Sequence, residues 1–136
     1  MNTLFETNFT VLPKHCNYHL PMIFGGEFLA QMDLAAAMCV SRLLHDSECD
    51  SAVTYEFSGR FLAAAEMGDI IFLKCEVTEL RKKAVVVSIV ADREKRAEPG
   101  RDVVAKAEFV FVTKKDGVFT PHNLKNDLLK KNNIGF

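Results

Sequence analysis

Apolar and polar residues alternate over residues 4–12, where Leu4, Glu6, Asn8 and Thr10 stand opposite Phe5, Thr7, Phe9 and Val11. That period of two predicts a half-buried strand. Pro13 and Pro21 then interrupt any regular element. After Gly25 and Gly26 the run EFLAQMDLAAAMCVSRLLH is rich in Ala, Leu, Met and Gln, all good helix formers. Phe28, Met32, Ala35, Ala36, Cys39 and Leu43 make a continuous apolar stripe at helical spacing, and Leu29, Ala37 and Val40 form a second face. A helix apolar on nearly all sides is expected to be buried on nearly all sides. Its small residues, Ala30, Ala35, Ala36 and Ala37, allow a sheet to approach the backbone closely.

Beyond the polar stretch DSECDS the period returns to two. Val53, Tyr55, Phe57, Gly59 and Phe61 alternate with Thr54, Glu56, Ser58 and Arg60, a strand with one wet face. Residues 70–79, 84–91 and 103–113 read as three more strands, joined by LRKK and DREKRAEPGRD. Links this short favour antiparallel neighbours. One helix cannot serve as crossover for four strands, so the class is α+β, a curved antiparallel sheet around one long helix. The 136 residues are expected to form a single domain with its core over about 4–113 and a tail over 114–136. The tail segment NLKNDLLKKNN either forms a short amphipathic helix or frays.

Composition changes this picture only by exclusion. An apolar content of 49% suits a packed globule, and a net charge of −1 gives no global attraction to nucleic acid or a membrane surface. Cys16, Cys39, Cys49 and Cys75 have no metal-ligand spacing, and two of them sit in apolar runs, so reduced and mostly buried thiols are expected, with no metal. The opening MNTLFETNF lacks a basic start followed by an apolar run, so no secretory signal is expected. No apolar stretch reaches membrane-spanning length, which makes the cytoplasm the default location.

Asp33 is where the pattern breaks. Between Phe28 and Ser41 the only ionisable side chains are this acid and the Cys39 thiol, and a carboxylate among apolar groups is costly unless paired. Such an acid either caps a neighbouring loop or marks an active site. The Gly25-Gly26 pair favours the second reading. Two glycines at a helix start let a ligand approach free backbone N–H groups, where the helix dipole stabilises developing negative charge. Gly25 and Asp33 are roughly 12 Å apart along one helix, too far for both to act on one carbonyl. If both act on one substrate, they come from different subunits with their helices antiparallel across a two-fold axis.

The stretch LPKHCNYHLPMIFGGEFLAQMDLAAA resembles the acyl-CoA thioesterases of the hotdog fold, whose helix starts at a Phe/His-Gly-Gly turn and carries an Asp shortly after. FLAAAEMGD at 61–69 resembles the family's strand exit, with Ala64 where proline is usual. The resemblance covers residues 4–113. It implies a homodimer, or a tetramer or hexamer of dimers, hydrolysing acyl-CoA in fatty acid metabolism without a cofactor, CoA being part of the substrate. Gly25 or Gly26 would donate a backbone N–H to the thioester carbonyl. The partner's Asp33 would be general base for water, or a nucleophile forming an anhydride. Asn17 falls near the family's loop asparagine; Pro21 and Met22 replace the usual Gly-Thr in a loop one residue longer, so His19 is the alternative. Glu27 resembles a further family residue and also suits a first-turn acid. Arg81, Lys82 and Lys83 stand at the turn where the family often contacts the CoA nucleotide, and Arg60 precedes the strand exit.

Three other readings compete. A hotdog dehydratase of 3-hydroxyacyl thioesters would need a histidine base, for which His15 or His19 is available. A non-catalytic acyl-CoA-binding protein would use the pocket without turnover. A Cys–His nucleophilic pair lacks any activating context.

Overall fold

The computed structural model describes residues 3–125. In chain order it contains β1 (Leu4–Thr10), α1 (Gly25–Leu43), β2 (Ser51–Phe61), β3 (Ile70–Arg81), β4 (Ala84–Glu94), β5 (Arg101–Lys115) and β6 (Val118–Phe119). The strands form one antiparallel sheet in the order β1-β3-β4-β5-β2, with β6 added to β5. The helix packs on the inner face of this sheet against β1 to β5, the hotdog arrangement expected from the sequence.

The apolar stripe explains that packing. Phe28, Met32, Ala35, Ala36, Cys39, Val40 and Leu43 are all buried. They meet Ile71, Leu73, Val85, Ile89, Phe109 and Phe111 from the strands. Burial pushes the Cys39 thiol up to about 11 and the Cys75 thiol up to about 12, so both are neutral packing groups. All four cysteines are free. Within the single chain Leu34 and Met38 are 58% and 44% exposed. One sheet covers one side of a helix, and the side facing away stays open.

Strand ends run further than the apolar pattern suggested. The β4–β5 hairpin continues into charged residues because they pair across the ladder: Arg93 grips Asp102 through two nitrogens, and Arg101 meets Glu94 at 3.4 Å. The chain after residue 113 is not a separate tail at its start. Backbone N–H of His122 donates to the Lys82 carbonyl, the Ser47 hydroxyl donates to the His122 carbonyl at 2.7 Å, and His122 is buried. The tail helix expected over 123–133 lies mostly outside the described residues.

The most consequential departure is in β2. This strand is at the sheet edge and is exposed on both faces. Its register against β5 shifts between Thr54 and Glu56. One extra residue there, Tyr55, reverses the alternation. Thr54 consequently shares the inward face with Phe57 and Phe61, whereas uninterrupted alternation would have placed it on the wet face.

Candidate active site

The helix start is fixed by the segment before it. Cys16 pairs with Ile23 and Met22 with Glu66 in short antiparallel bridges. Backbone N–H groups of Phe24 and Ile23 donate to the carbonyls of His15 and Ala65 at 2.9 and 2.8 Å. Phe24 is extended at the N-cap and supplies no capping side chain, and the first helical bond runs from Phe28 N–H to the Phe24 carbonyl. Among the described residues the N–H groups of Gly25, Gly26 and Glu27 therefore have no acceptor. Uncapped donors at the positive end of a helix are what a developing oxyanion needs. A Cβ at Gly25 would lie 3.5 Å from the Phe61 ring and one at Gly26 2.9 Å from the Phe24 ring, so two aromatic side chains frame the open backbone.

Asp33 lies two turns further along and is half-buried. Its partner is Thr54. The Thr54 hydroxyl donates to Asp33 Oδ1 at 2.6 Å, the length of a hydroxyl bound to a carboxylate. Gly26, Leu29, Ala30 and Asp33 line one side of a groove of about 280 Å³, with Thr54, Phe57 and Phe109 opposite. Gly26 and Asp33 thus share one helix face, about 10 Å apart. A larger depression of about 840 Å³ spans β1, β3 and β4, but it contains the Lys74–Asp92 ion pair and neither Asp33 nor a helix start.

Thr54 was not legible in the sequence. A lone threonine in a strand gives no chemical signal, and only the bulge turns it inward. Arg93 is the other addition. Its guanidinium donates to the Ala64 carbonyl while holding Asp102, and the hydrogen bond from Arg93 holds the Asp102 carboxyl below the ordinary range. The strand exit at Ala64, which lacks the usual proline, is pinned by this side chain instead.

The remaining expected residues are dispersed. Asn17 and His19 lie on an exposed loop, with Asn17 N–H donating to the Met22 carbonyl and the His19 ring against Tyr18. Glu27 accepts from Gln31 at 3.3 Å and lies 4.0 Å from His15 Nε2. His15 itself is buried, and its Nδ1 accepts from Leu12 N–H at 3.0 Å. Its ring is tied into the loop backbone, and a dehydratase base there has no open approach. Arg60 points to the outer sheet face beside Lys106 and Glu108. Arg81 pairs with Glu79 at 2.9 Å, and that hydrogen bond raises its pKa. The Arg81–Lys83 turn is about 36 Å from Ile70, the other end of its strand, and Ile70 lies at the same end as Gly25. Within one chain the basic turn and the helix start are therefore far apart.

Among the described residues no group of three or more His, Cys, Asp or Glu side chains is placed to hold a metal ion. No described helix is long and apolar enough to cross a membrane.

A family model of the thioesterase superfamily matches residues 20–100. No curated protein matches the chain in sequence. The fold recurs in solved structures. Acyl-CoA hydrolase from Staphylococcus aureus, in complex with butyryl coenzyme A, coenzyme A and coenzyme A disulfide, is 22% identical with a TM-score of 0.77, over 95% of this chain and 79% of that one. A hexameric broad-specificity acyl-coenzyme A thioesterase, in an aspartate-to-alanine mutant form, is 21% identical with a TM-score of 0.81, over 98% and 96%. A hexameric thioesterase from Yersinia pestis is 21% identical with a TM-score of 0.75, over 88% and 93%.

Proposed function

The chain belongs to the thioesterase superfamily, and from that premise we propose that it hydrolyses acyl-CoA thioesters to the free acid and CoA. The observation that carries this reading is that one helix presents both halves of such a site, uncapped N–H groups at its start and a threonine-bound aspartate two turns along. The N–H groups of Gly25 or Gly26 polarise the thioester carbonyl and stabilise the negative charge on its oxygen. Thr54 occupies Oδ1 of Asp33 and leaves Oδ2 for a water molecule, which favours the general-base route over the anhydride. Asp33 takes the proton as the water oxygen adds to the carbonyl. The C–S bond then breaks, and CoA leaves as the thiolate, which takes up a proton.

About 10 Å separates Gly26 from Asp33, too far for one carbonyl, so in this reading each site of a homodimer takes its donors from one subunit and its acid from the other. β2 suits the role of interface. It is an edge strand carrying Val53, Tyr55, Phe57 and Phe61, each more than 40% exposed. With helices antiparallel across a two-fold axis, the partner's basic turn at Arg81, Lys82 and Lys83 comes to this chain's helix start, within reach of the CoA phosphates. Solved neighbours that are hexamers of the same fold fit such dimers assembling further.

The test is a thiol-release assay on an acyl-CoA series with wild type and Asp33→Asn. Wild type is expected to release CoA, and the substitution to lower kcat by about 10²–10⁴. Hydrolysis undiminished in Asp33→Asn would remove the acid from the mechanism. Binding of acyl-CoA by wild type without release would instead make the protein a binding module.

A further inference from the structure

The groove beside α1 has a polar end and an apolar floor. Asp33 and Thr54 make the polar end; Leu29, Ala30, Phe57 and Phe109 make the rest. Phe57 stacks on Phe109 with ring centroids 6.4 Å apart and planes 28° from parallel. Phe109 is a fixed part of the core at 1% exposure, whereas Phe57 is 58% exposed at the groove's rim. The next inward position on β2 is Gly59, where a Cβ would lie 2.5 Å from the Lys106 carbonyl oxygen, so no side chain can stand there. Phe57 alone therefore walls this stretch of the strand.

Two properties of that space restrict what fits it. Among the described residues of this chain, no polar side chain other than Asp33 and Thr54 lines the groove. An acyl group bearing a hydroxyl, amide or carboxyl substituent would lose its water there and gain no partner. The groove is also small, about 280 Å³, and Phe57 bounds it along β2.

We propose that the acyl group is an unsubstituted chain of short to medium length, and that Phe57 is the residue that sets its upper limit. This rests on the hydrolase reading above. The chain lies along Leu29 and Ala30 with its carbonyl at a helix start, and its far end meets the Phe57–Phe109 stack. Removing the Phe57 ring lengthens the groove without opening the core, because Phe109 still closes the floor.

The experiment measures kcat/KM for saturated acyl-CoAs from two to sixteen carbons with wild type, Phe57→Ala and Phe57→Trp, each checked for an unchanged melting profile. Wild type is expected to rise with chain length, reach a maximum within the series and then fall. Phe57→Ala continues the rise for at least two further carbons, gaining about fourfold per methylene, the equivalent of about 0.8 kcal/mol. Phe57→Trp brings the fall to shorter chains. If Phe57→Ala is unstable, Phe57→Leu and Phe57→Trp still give the two directions of change. Folded variants with the wild-type profile would overturn the assignment while leaving the hydrolase intact, as would wild type preferring a carboxylated or hydroxylated acyl-CoA. Absence of release from every acyl-CoA would overturn both readings at once.

Discussion

Thr54 gives Asp33 the partner that a carboxylate on an apolar helix needs. An acid half open to solvent is not positioned by its surroundings; a 2.6 Å hydrogen bond from a strand positions it instead. Hydrogen bonds to a carboxylate contribute roughly 1.5–3 kcal/mol, so Thr54→Val is expected to lower kcat by about tenfold or more with KM little changed, and Thr54→Ser to restore most of it. Steady-state kinetics of the two variants decide it; full activity in Thr54→Val with a loss in Thr54→Ser would mean that the methyl packing matters and the hydroxyl does not. Asp33 was legible in the sequence because an acid is conspicuous in an apolar run. Thr54 was not, because the reading assumed that β2 alternates without a break, and the Tyr55 bulge reverses which residues face the helix.

At the level of elements, α1 and its approach segment carry most of the proposed chemistry. The start of the helix could be read from Gly25-Gly26, and its buried stripe from spacing, since both are local. The reach of β4 and β5 could not, because charged ends hold their ladder through Arg93–Asp102 and Arg101–Glu94, which pair only after the hairpin closes. The role of the helix start is open to a precise substitution. Proline is tolerated at the first helical position and removes one N–H, and Phe24, at φ −70° and ψ 135°, already has the conformation that a residue before proline prefers. Gly25→Pro is therefore expected to keep the helix content seen by circular dichroism while lowering kcat by about 10². An unchanged kcat would exclude Gly25 N–H as a donor to the carbonyl.

On the scale of the whole molecule, the proposed site is incomplete in one chain. The helix start is supplied with donors and aromatic walls, but the nearest acid on the groove is two turns away, and the basic turn at Arg81–Lys83 lies at the opposite end of the sheet. If Gly25 and Asp33 act on one substrate, their spacing alone calls for a second subunit. What no sequence pattern could supply is the surface that receives it, since the exposure of Leu34, Met38 and the β2 aromatics depends on which side of the helix the sheet covers.

Mixed dimers test this division most directly. Asp33→Asn leaves the donors intact, and Gly26→Leu blocks the helix start while leaving Asp33 intact. Each variant alone is expected to be inactive in thiol release. Unfolded and refolded together in equal amounts, they form heterodimers in which one site carries both lesions and the other carries neither. With random pairing, turnover should recover to about a quarter of the wild-type value per site. A mixture that stays as inactive as its two components would contradict the account, because it would place the acid and the donors of each site in the same chain.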